Sequence, residues 1–510
     1  MIVDDLVRVR IYYALKGLAI VLIYLAVPQY KTSPGSPASI QNLSSEILSR
    51  IFLHSLTSHE ITIASRPPLL LCHVCSKWRK IALNIPRLWC SLYIKPSTRY
   101  LSRDTVEGRL IRLVRFYMDN AKDCPMSLHL SLTRAGSWAP ESENNWSNLF
   151  NELLGLRFLN RYHDISIYAP EFEFNQLGRF SLYFPGHVHR LRSVKLRARS
   201  ASSSDIISLF SFAPQLSRVI FGLQDGYVMD DSWSIISQHF RPALLPLPWG
   251  QLTHFCITMS ITLPVWYALL PQLHSLEQCV ITLDADGYGE SRTIKLSETP
   301  TVLPNLTVLS LALIARDRPA VFHGTDMPQL KKLQLSSLFP MNIMTIQWQE
   351  HIDVLRNLSS FSLHRVGIDS PHLINVLRAM DQLEELTLSC DLRDYNMILE
   401  ALTIDEATVV PLAPSLQKLR IHVAFNRNAN AQFTPEILAR MIQSRWWIPL
   451  TSIPVKRLYF VRLGVFGGDQ SLMELRILLM PMIHEGLMFE VLHEPTPFPY
   501  PDDEDITLIW

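Results

Sequence analysis

Residues Leu306 to Leu311 read LTVLSL, and Leu330 to Leu335 read LKKLQL. The phrase is a leucine, two residues, an apolar residue, one residue and a second apolar residue. It returns as LSSFSL from Leu358, LEELTL from Leu383 and LQKLRI from Leu416. Earlier copies are LRSVKL from Leu191, LSRVIF from Leu216 and LTHFCI from Leu252, and a looser one, VKRLYF, begins at Val455. Apolar residues that alternate with polar ones over this length mark a strand buried on one face. Pro or Asp commonly stands just ahead, as in Pro214-Gln215, Pro304-Asn305, Pro328-Gln329 and Pro414-Ser415. Between phrases, Pro371 to Met380 and Asn396 to Leu402 have helical spacing. Strands alternating with helices define an α/β fold.

Several neighbouring copies start 24 to 28 residues apart. That is the period of leucine-rich repeats, whose units cannot bury their apolar face alone and therefore stack into a curved array. The expectation is an irregular solenoid over residues 186–493. Its long steps, Leu216 to Leu252 and Leu416 to Val455, imply insertions or degenerate copies, and the asparagine that usually closes such a repeat is mostly missing. A compact α/β domain with similar strands is the plainer alternative.

Upstream, Leu43 to Ile94 carries three short helical patterns. Ser44 is a good N-cap, with Glu46 in the first turn, and Ile47, Leu48, Ile51, Phe52 and Leu56 recur at helical spacing. A second pattern opens at Pro67-Pro68 and places Leu70, Val74, Trp78 and Ile81 on one face, with Lys77, Arg79 and Lys80 largely on the other. A third begins after Pro86 with Leu88, Trp89 and Leu92. So small a bundle holds more large apolar residues than it is able to hide, so some are expected to pack elsewhere.

This segment resembles an F-box. The matching residues are Leu43, Glu46-Ile47-Leu48, Ile51-Phe52, Val74-Cys75, Trp78-Arg79, Ala82 and Pro86-Arg87-Leu88-Trp89. Ser44 stands where many F-boxes have proline. With the repeats behind it, and with CPMSLHLSL from Cys124, Ala213-Pro214-Gln215-Leu216 and Leu247-Pro248-Trp249-Gly250-Gln251-Leu252-Thr253, the chain is similar to the large F-box group of mushroom-forming fungi. The resemblance implies a three-helix F-box at 40–95 and the substrate-recognition subunit of an SCF-type ubiquitin ligase. It implies a Skp-type adaptor and cullin core as partners and a cytoplasmic or nuclear location. Leu43, Ile47, Leu48, Ile51, Phe52, Leu70, Val74 and Trp78 are then the adaptor-binding residues or their direct supports. The repeats would hold a target protein, which the sequence does not name.

The remaining segments are read more coarsely. Residues 1–39 hold the apolar run Ile11 to Val27, preceded by Arg8 and Arg10 and followed by a Pro/Ser-rich linker, Thr32 to Ser39. At the short limit for a bilayer span, that run fits a membrane segment, a signal peptide, a buried helix or a gene-model artefact. Residues 96–185 form a connecting α/β segment. It has a helix at Thr105 to Met118, strands near Leu128 and at Asp164 to Tyr168, a loop at Gly136 to Asn145 and a helix at Leu149 to Phe158. Residues 494–510 are a proline-rich and acidic tail ending in Ile506 to Trp510.

Composition narrows the function. In 510 residues, a hydrophobic content of 48% argues against global disorder, and a net charge of +1 gives no support for a nucleic-acid partner. Seven scattered cysteines lack a framework spacing and fit a reducing compartment. Cys72-His73-x-Cys75 has no second ligand pair, so no metal is assigned. Asp284-x-Asp286-Gly287 lacks the later ligands of a calcium loop, and Gly464-x-x-Gly467-Gly468 is no nucleotide fingerprint. Without GxSxG, HExxH or a P-loop, no catalytic residue or cofactor is assigned and the chain reads as a non-enzyme. The alternative function is a repeat-based interaction scaffold without a ligase role, membrane-anchored through Ile11 to Val27. The sequons at Asn42, Asn145, Asn305 and Asn357 would carry glycans if that segment directs secretion.

Overall fold

The computed structural model describes residues 43–56, 67–95, 103–131, 149, 152–153, 160–173, 188–200, 213–223, 247–284, 300–314, 322, 324–337, 352–364, 366–389, 394–405, 410–423, 434–448, 454–465 and 469–493. Ile11 to Val27, Thr32 to Ser39, Gly136 to Asn145, most of Leu149 to Phe158 and the tail from Glu494 lie outside these residues. The chain divides into two compact units, residues 1–216 with 223–226, and residues 217–222 with 227–510.

The first unit opens with helices α1 (Ser45–His54), α2 (Leu69–Val74) and α3 (Ser76–Leu83) and a 3-10 turn at Pro86–Trp89. Strand β1 (Ser91–Ile94), helix α4 (Arg103–Ala121) and strands β2 (Met126–Ser131), β3 (Tyr162–Glu173) and β4 (Ser193–Ser200) follow. The four strands pair in order and in parallel. Leu92, Leu128, Ile165 and Val194 share one register row, and Ile94, Leu130, Ile167 and Leu196 the next. All eight are buried.

Two expectations change here. The apolar face from Leu70 to Ile81 is not one helix, because Cys75 is extended (φ −159°, ψ 170°) and splits it into α2 and α3. The third helical pattern is a single 3-10 turn that runs into a strand, since Leu88, Trp89 and Leu92 are buried by a turn and a strand instead. Parallel pairing within the first unit starts at Ser91.

The second unit holds β5 (Arg218–Leu223), β6 (His254–Thr262), α5 (Leu263–Leu269), β7 (Gln278–Asp284), β8 (Thr301–Val302), β9 (Val308–Ile314), β10 (Thr325–Asp326), β11 (Lys332–Ser337) and α6 (Ile352–Leu355). Then come β12 (Ser360–His364), α7 (Ser370–Arg378), β13 (Glu385–Ser389), α8 (Tyr395–Leu402), β14 (Lys418–Val423), α9 (Pro435–Trp446), β15 (Phe460–Val465), α10 (Asp469–His484) and β16 (Met488–His493). From β5 to β16 each strand of the main sheet pairs in parallel with the next, and β8 and β10 form a small separate pair.

Two apolar rows run across this sheet. One contains Val219, Phe255, Cys279, Leu309, Leu333, Phe361, Leu386, Leu419, Val461 and Phe489. The other contains Phe221, Ile257, Ile281, Leu311, Leu335, Leu363, Leu388, Ile421, Leu463 and Val491. Every member is buried until β16, where Phe489 and Val491 are half-buried. Burying each such side chain contributes about 1.5–3 kcal/mol, and each is covered by its neighbours in the row. Strand β7, beginning LEQCVI from Leu276, belongs to the series, with Cys279 in a leucine's place. The looser copy at Val455 is out of register, since the paired phrase is Leu458 to Leu463.

The leading leucine closes a turn. Leu191, Leu216, Leu276, Leu306, Leu330, Leu358, Leu383 and Leu416 each donate their N–H to the carbonyl three residues back, at 3.1–3.4 Å. Pro214, Pro304, Pro328 and Pro414 occupy the second position of such turns, where a fixed φ near −65° is already correct. The residue opening each turn is also buried, as at Val188, Ala213, Leu303 and Met380. After the turn, the carbonyls of Ser217, Thr253, Glu277, Thr307, Lys331, Ser359 and Glu384 each accept from the next copy, so the ladder starts before the strands do.

Helices α7, α8, α9 and α10 pack in sequence, each against the next. Asp369 and Asp394 cap α7 and α8, accepting from the N–H of His372 (2.9 Å) and Met397 (3.1 Å). Arg445 on α9 is fully buried. Its guanidinium donates to the carbonyls of Leu402 (2.7 Å), Ala413 (3.1 Å) and Leu412, which ties the end of α8 and the turn before β14 to α9. Burial lowers its pKa to about 10, so it stays charged at neutral pH. Arg445→Met removes all three bonds, takes the donor from the Leu402 and Leu412 carbonyls while Ala413 O keeps the Leu416 N–H, and is expected to cost about 3 kcal/mol or more by urea unfolding. The exposed Arg440→Met, which loses only a surface pair with Glu400, should stay within about 0.5 kcal/mol of the parent.

Candidate functional site

In the first unit the site is built around α1. Ser44 caps it, its hydroxyl accepting from Ile47 N–H at 3.3 Å, and Glu46 lies in the first turn. The 3.6-residue period then separates two faces. Leu48 and Phe52 point inward and are fully buried. Phe52 meets Trp78 of α3 with ring centroids 4.9 Å apart, and Trp78 is itself buried. Trp89 supports this cluster from below: its indole N–H donates to Ala82 O at 2.9 Å, and its ring meets Phe116 and Tyr117 of α4 edge-on, each at 5.1 Å.

The outward side carries the remaining residues. Ile47 is 48% exposed and Val74 41%, while Leu43 and Ile51 are half-buried. Lys77 Nζ donates to Leu43 O at 3.0 Å, which holds the start of α3 beside the start of α1. The eight residues singled out in the sequence therefore divide. Leu48, Phe52, Leu70 and Trp78 are interior supports, and Ile47 and Val74, with part of Leu43 and Ile51, face solvent. The four buried residues do not offer direct contacts in this state.

Val74 stands at the end of α2, immediately before the break at Cys75. Cys75 ends α2 and caps α3, its sulfur accepting from Trp78 N–H at 3.5 Å. That turn redirects α3, with Trp78, relative to α2, whose last residue Val74 is left exposed. Arg79 Nε donates to Cys72 O at 2.8 Å across the same break. Burial raises the Cys72 thiol pKa, and Arg79 only partly opposes this. His73 is exposed, and among the described residues no group of three His, Cys, Asp or Glu is placed to hold a metal. Cys90 is pushed up to about 12 by burial and by the neighbouring Cys124 thiol, so it is protonated and unreactive at neutral pH.

The second unit offers a different surface, the face of the sheet opposite the apolar rows. Its middle positions read Ser310, Gln334, Ser362, Thr387, Arg420, Arg462 and Glu490. In β5 to β7 the same row is apolar (Ile220, Cys256, Val280), in β9 to β13 it carries small or neutral polar groups, and in β14 to β16 charged ones. Arg420 pairs with Glu385 at 3.1 Å and Arg462 with Glu490 at 2.8 Å. Both guanidinium groups also lie over the Phe460 ring, at 5.8 and 5.6 Å from its centroid. A Cβ on Gly464 would run into the His422 ring, so glycine leaves room for that histidine on the same face. Sequence reading passed over this cluster; its signal was the polar residue between the two apolar ones in each phrase, here Arg420 and Arg462.

No known family model matches the sequence, and no curated protein matches it. Among the described residues, no helix is long and apolar enough to cross a membrane.

The inner and outer faces of α1 make opposite demands. Phe52→Ala is expected to cost about 3–5 kcal/mol and to loosen α1 to α3, seen as a lower unfolding midpoint. Ile47→Ser should leave that midpoint nearly unchanged, within about 0.5 kcal/mol.

Proposed function

We propose that this protein is a non-catalytic recognition subunit of an SCF-type ubiquitin ligase. On this reading the segment 40–95 is an F-box that docks a Skp-type adaptor, and the array behind it is leucine-rich-repeat-like and holds a target protein. The supporting observation is the outward pair Ile47 and Val74, large apolar side chains left 48% and 41% exposed on helices whose inner faces are otherwise closed. The residues that carry the F-box resemblance supply both the closed core and this open side.

Docking would bury Ile47, Val74 and the exposed parts of Leu43 and Ile51. At about 25 cal/mol per Å² of apolar surface, a few such side chains favour association by several kcal/mol before the cost of immobilisation. Leu48, Phe52, Leu70 and Trp78 would act indirectly, by fixing the pose of α1 and α3. The array would carry its target on the polar sheet face, where Arg420, Phe460 and Arg462 form a stacked group. The chain would bring target and ubiquitin-loading partners together, a gain of proximity with the bond-making left to the partners.

Ile47→Asp with Val74→Asp places two charges on the docking side without touching the core. The double variant should keep its unfolding midpoint and lose capture of a purified Skp-type adaptor in a pull-down. Capture at the parent level by the folded variant would overturn the reading.

A further inference from the structure

The turns ahead of β2, β3 and β4 lie side by side at the starting end of the first unit's strands, because those strands pair in order and in parallel. Cys124 N–H closes the first turn on Ala121 O at 3.1 Å, and Leu191 N–H closes the third on Val188 O at 3.1 Å. The second, Asn160-Arg161, is joined to the strand after the first by Met126 N–H, which donates to Arg161 O at 2.9 Å. At this place the second unit has Pro304-Asn305, Pro328-Gln329 and Pro414-Ser415. The first unit has Asp123, Asn160-Arg161 and His189-Arg190, so charged and hydrogen-bonding side chains stand where a proline and a neutral neighbour stand elsewhere.

These five residues line a cleft of about 360 Å³. Two guanidinium groups are anchored beside it. Arg161 Nη1 donates to Met118 O at 3.0 Å, in the last turn of α4, and Arg190 Nη1 donates to Asp123 O at 3.0 Å. Both acceptors are neutral carbonyls, so each bond fixes a side chain without cancelling its charge. Arg161 is half-buried, and its Nε and Nη2 are closed off from solvent with no acceptor among the described residues. A buried guanidinium ordinarily has its donors met, as Arg445 does with three carbonyls.

An uncompensated charge held in a low-dielectric wall focuses positive potential into the recess beside it. Asp123 contributes a carboxylate to the lining, but two guanidinium groups against one carboxylate leave the cleft net positive. Asn160, His189 and Arg190 are exposed at the same cleft, so the remaining Arg190 N–H groups, the Asn160 amide and the His189 ring stand open to a ligand. A guanidinium fork with single-point donors around it is the arrangement that holds a tetrahedral oxyanion.

We propose that this cleft binds a phosphate group, as the free dianion or as the monoester of a small molecule. Arg190 donates to the phosphate oxygens, Asn160 and His189 supply further donors, and Arg161 contributes charge from the wall while its bond to Met118 O keeps it in place. The volume admits more than the phosphate itself, which leaves room for an ester substituent. The site draws on none of the residues assigned to adaptor docking, so its test is independent of that reading.

Isothermal titration calorimetry of the purified full chain at constant ionic strength tests this, with inorganic phosphate and glycerol 2-phosphate as probes and sodium chloride as the ionic control. Saturable binding is expected with the phosphate probes and none with chloride. Tighter binding of glycerol 2-phosphate identifies an ester as the ligand, and tighter binding of inorganic phosphate identifies the free dianion. Arg190→Gln, at an exposed turn position, should keep the unfolding midpoint and weaken binding about tenfold or more. Asp123→Asn should strengthen binding. Arg440→Gln, which removes a positive charge from the second unit, should leave it within about twofold of the parent. No saturable heat from either probe would overturn the proposal. Equal affinity of the parent and Arg190→Gln, or equal weakening by Arg190→Gln and Arg440→Gln, would overturn it as well.

Discussion

The second unit depends on one constraint: no strand of its sheet covers its own apolar pair. Leu363 and Phe361 are buried because β11 sets Leu335 and Leu333 on one side and β13 sets Leu388 and Leu386 on the other. Stability is therefore shared along the rows, and each phrase must arrive in register for its neighbours to close. The turn ahead of each strand enforces that arrival. Its first residue is buried, its second is often proline, and its leucine N–H is bonded back, so the strand begins at a fixed point. A shift by one residue would turn every apolar side chain to the opposite face. Among the described residues no row lies beyond β16, and Phe489 and Val491 are half-buried.

The apolar rows lie on one face of the sheet, and the other face changes character along the unit. There the middle positions pass from serine and glutamine in β9 to β12, through Thr387 in β13, to arginine and glutamate in β14 to β16. In the first unit the division is sharper. The Phe52–Trp78 contact and the Trp89 indole bond to Ala82 fix the helices from within, which lets Ile47 and Val74 remain outside without costing the cluster its order. A rigid scaffold with an apolar outer side is what the proposed adaptor-docking role requires.

Much of this was legible in residue order. The α/β class, strands β4, β5, β6, β9 and β11 to β14, and helices α4, α7 and α8 follow from periodicity alone, because two apolar residues at a spacing of two leave little choice of face. What was missed has identifiable causes. Cys279 fills a leucine position in β7, and the buried Tyr162 opens β3 where other phrases have a leading leucine. Val455 looked like a phrase start because Leu458 lies three residues on, and only the pairing to β14 fixes the register. The break at Cys75 was hidden by a perfectly good helical face from Leu70 to Ile81. Periodicity carries no sign of a split into two helices there. Arg445 gave no signal at all, as an arginine on a helix is ordinarily solvent-exposed.

The central claim is that the outward side of α1 to α3 is a docking surface for a Skp-type adaptor. Hydrogen–deuterium exchange of the full chain, with and without purified adaptor, tests it most directly. The account predicts that added adaptor slows exchange within Ser45–His54 and Leu69–Leu83 and leaves β5 to β16 unchanged. Unaltered exchange in those helices at saturating adaptor, or protection confined to the second unit, would contradict it.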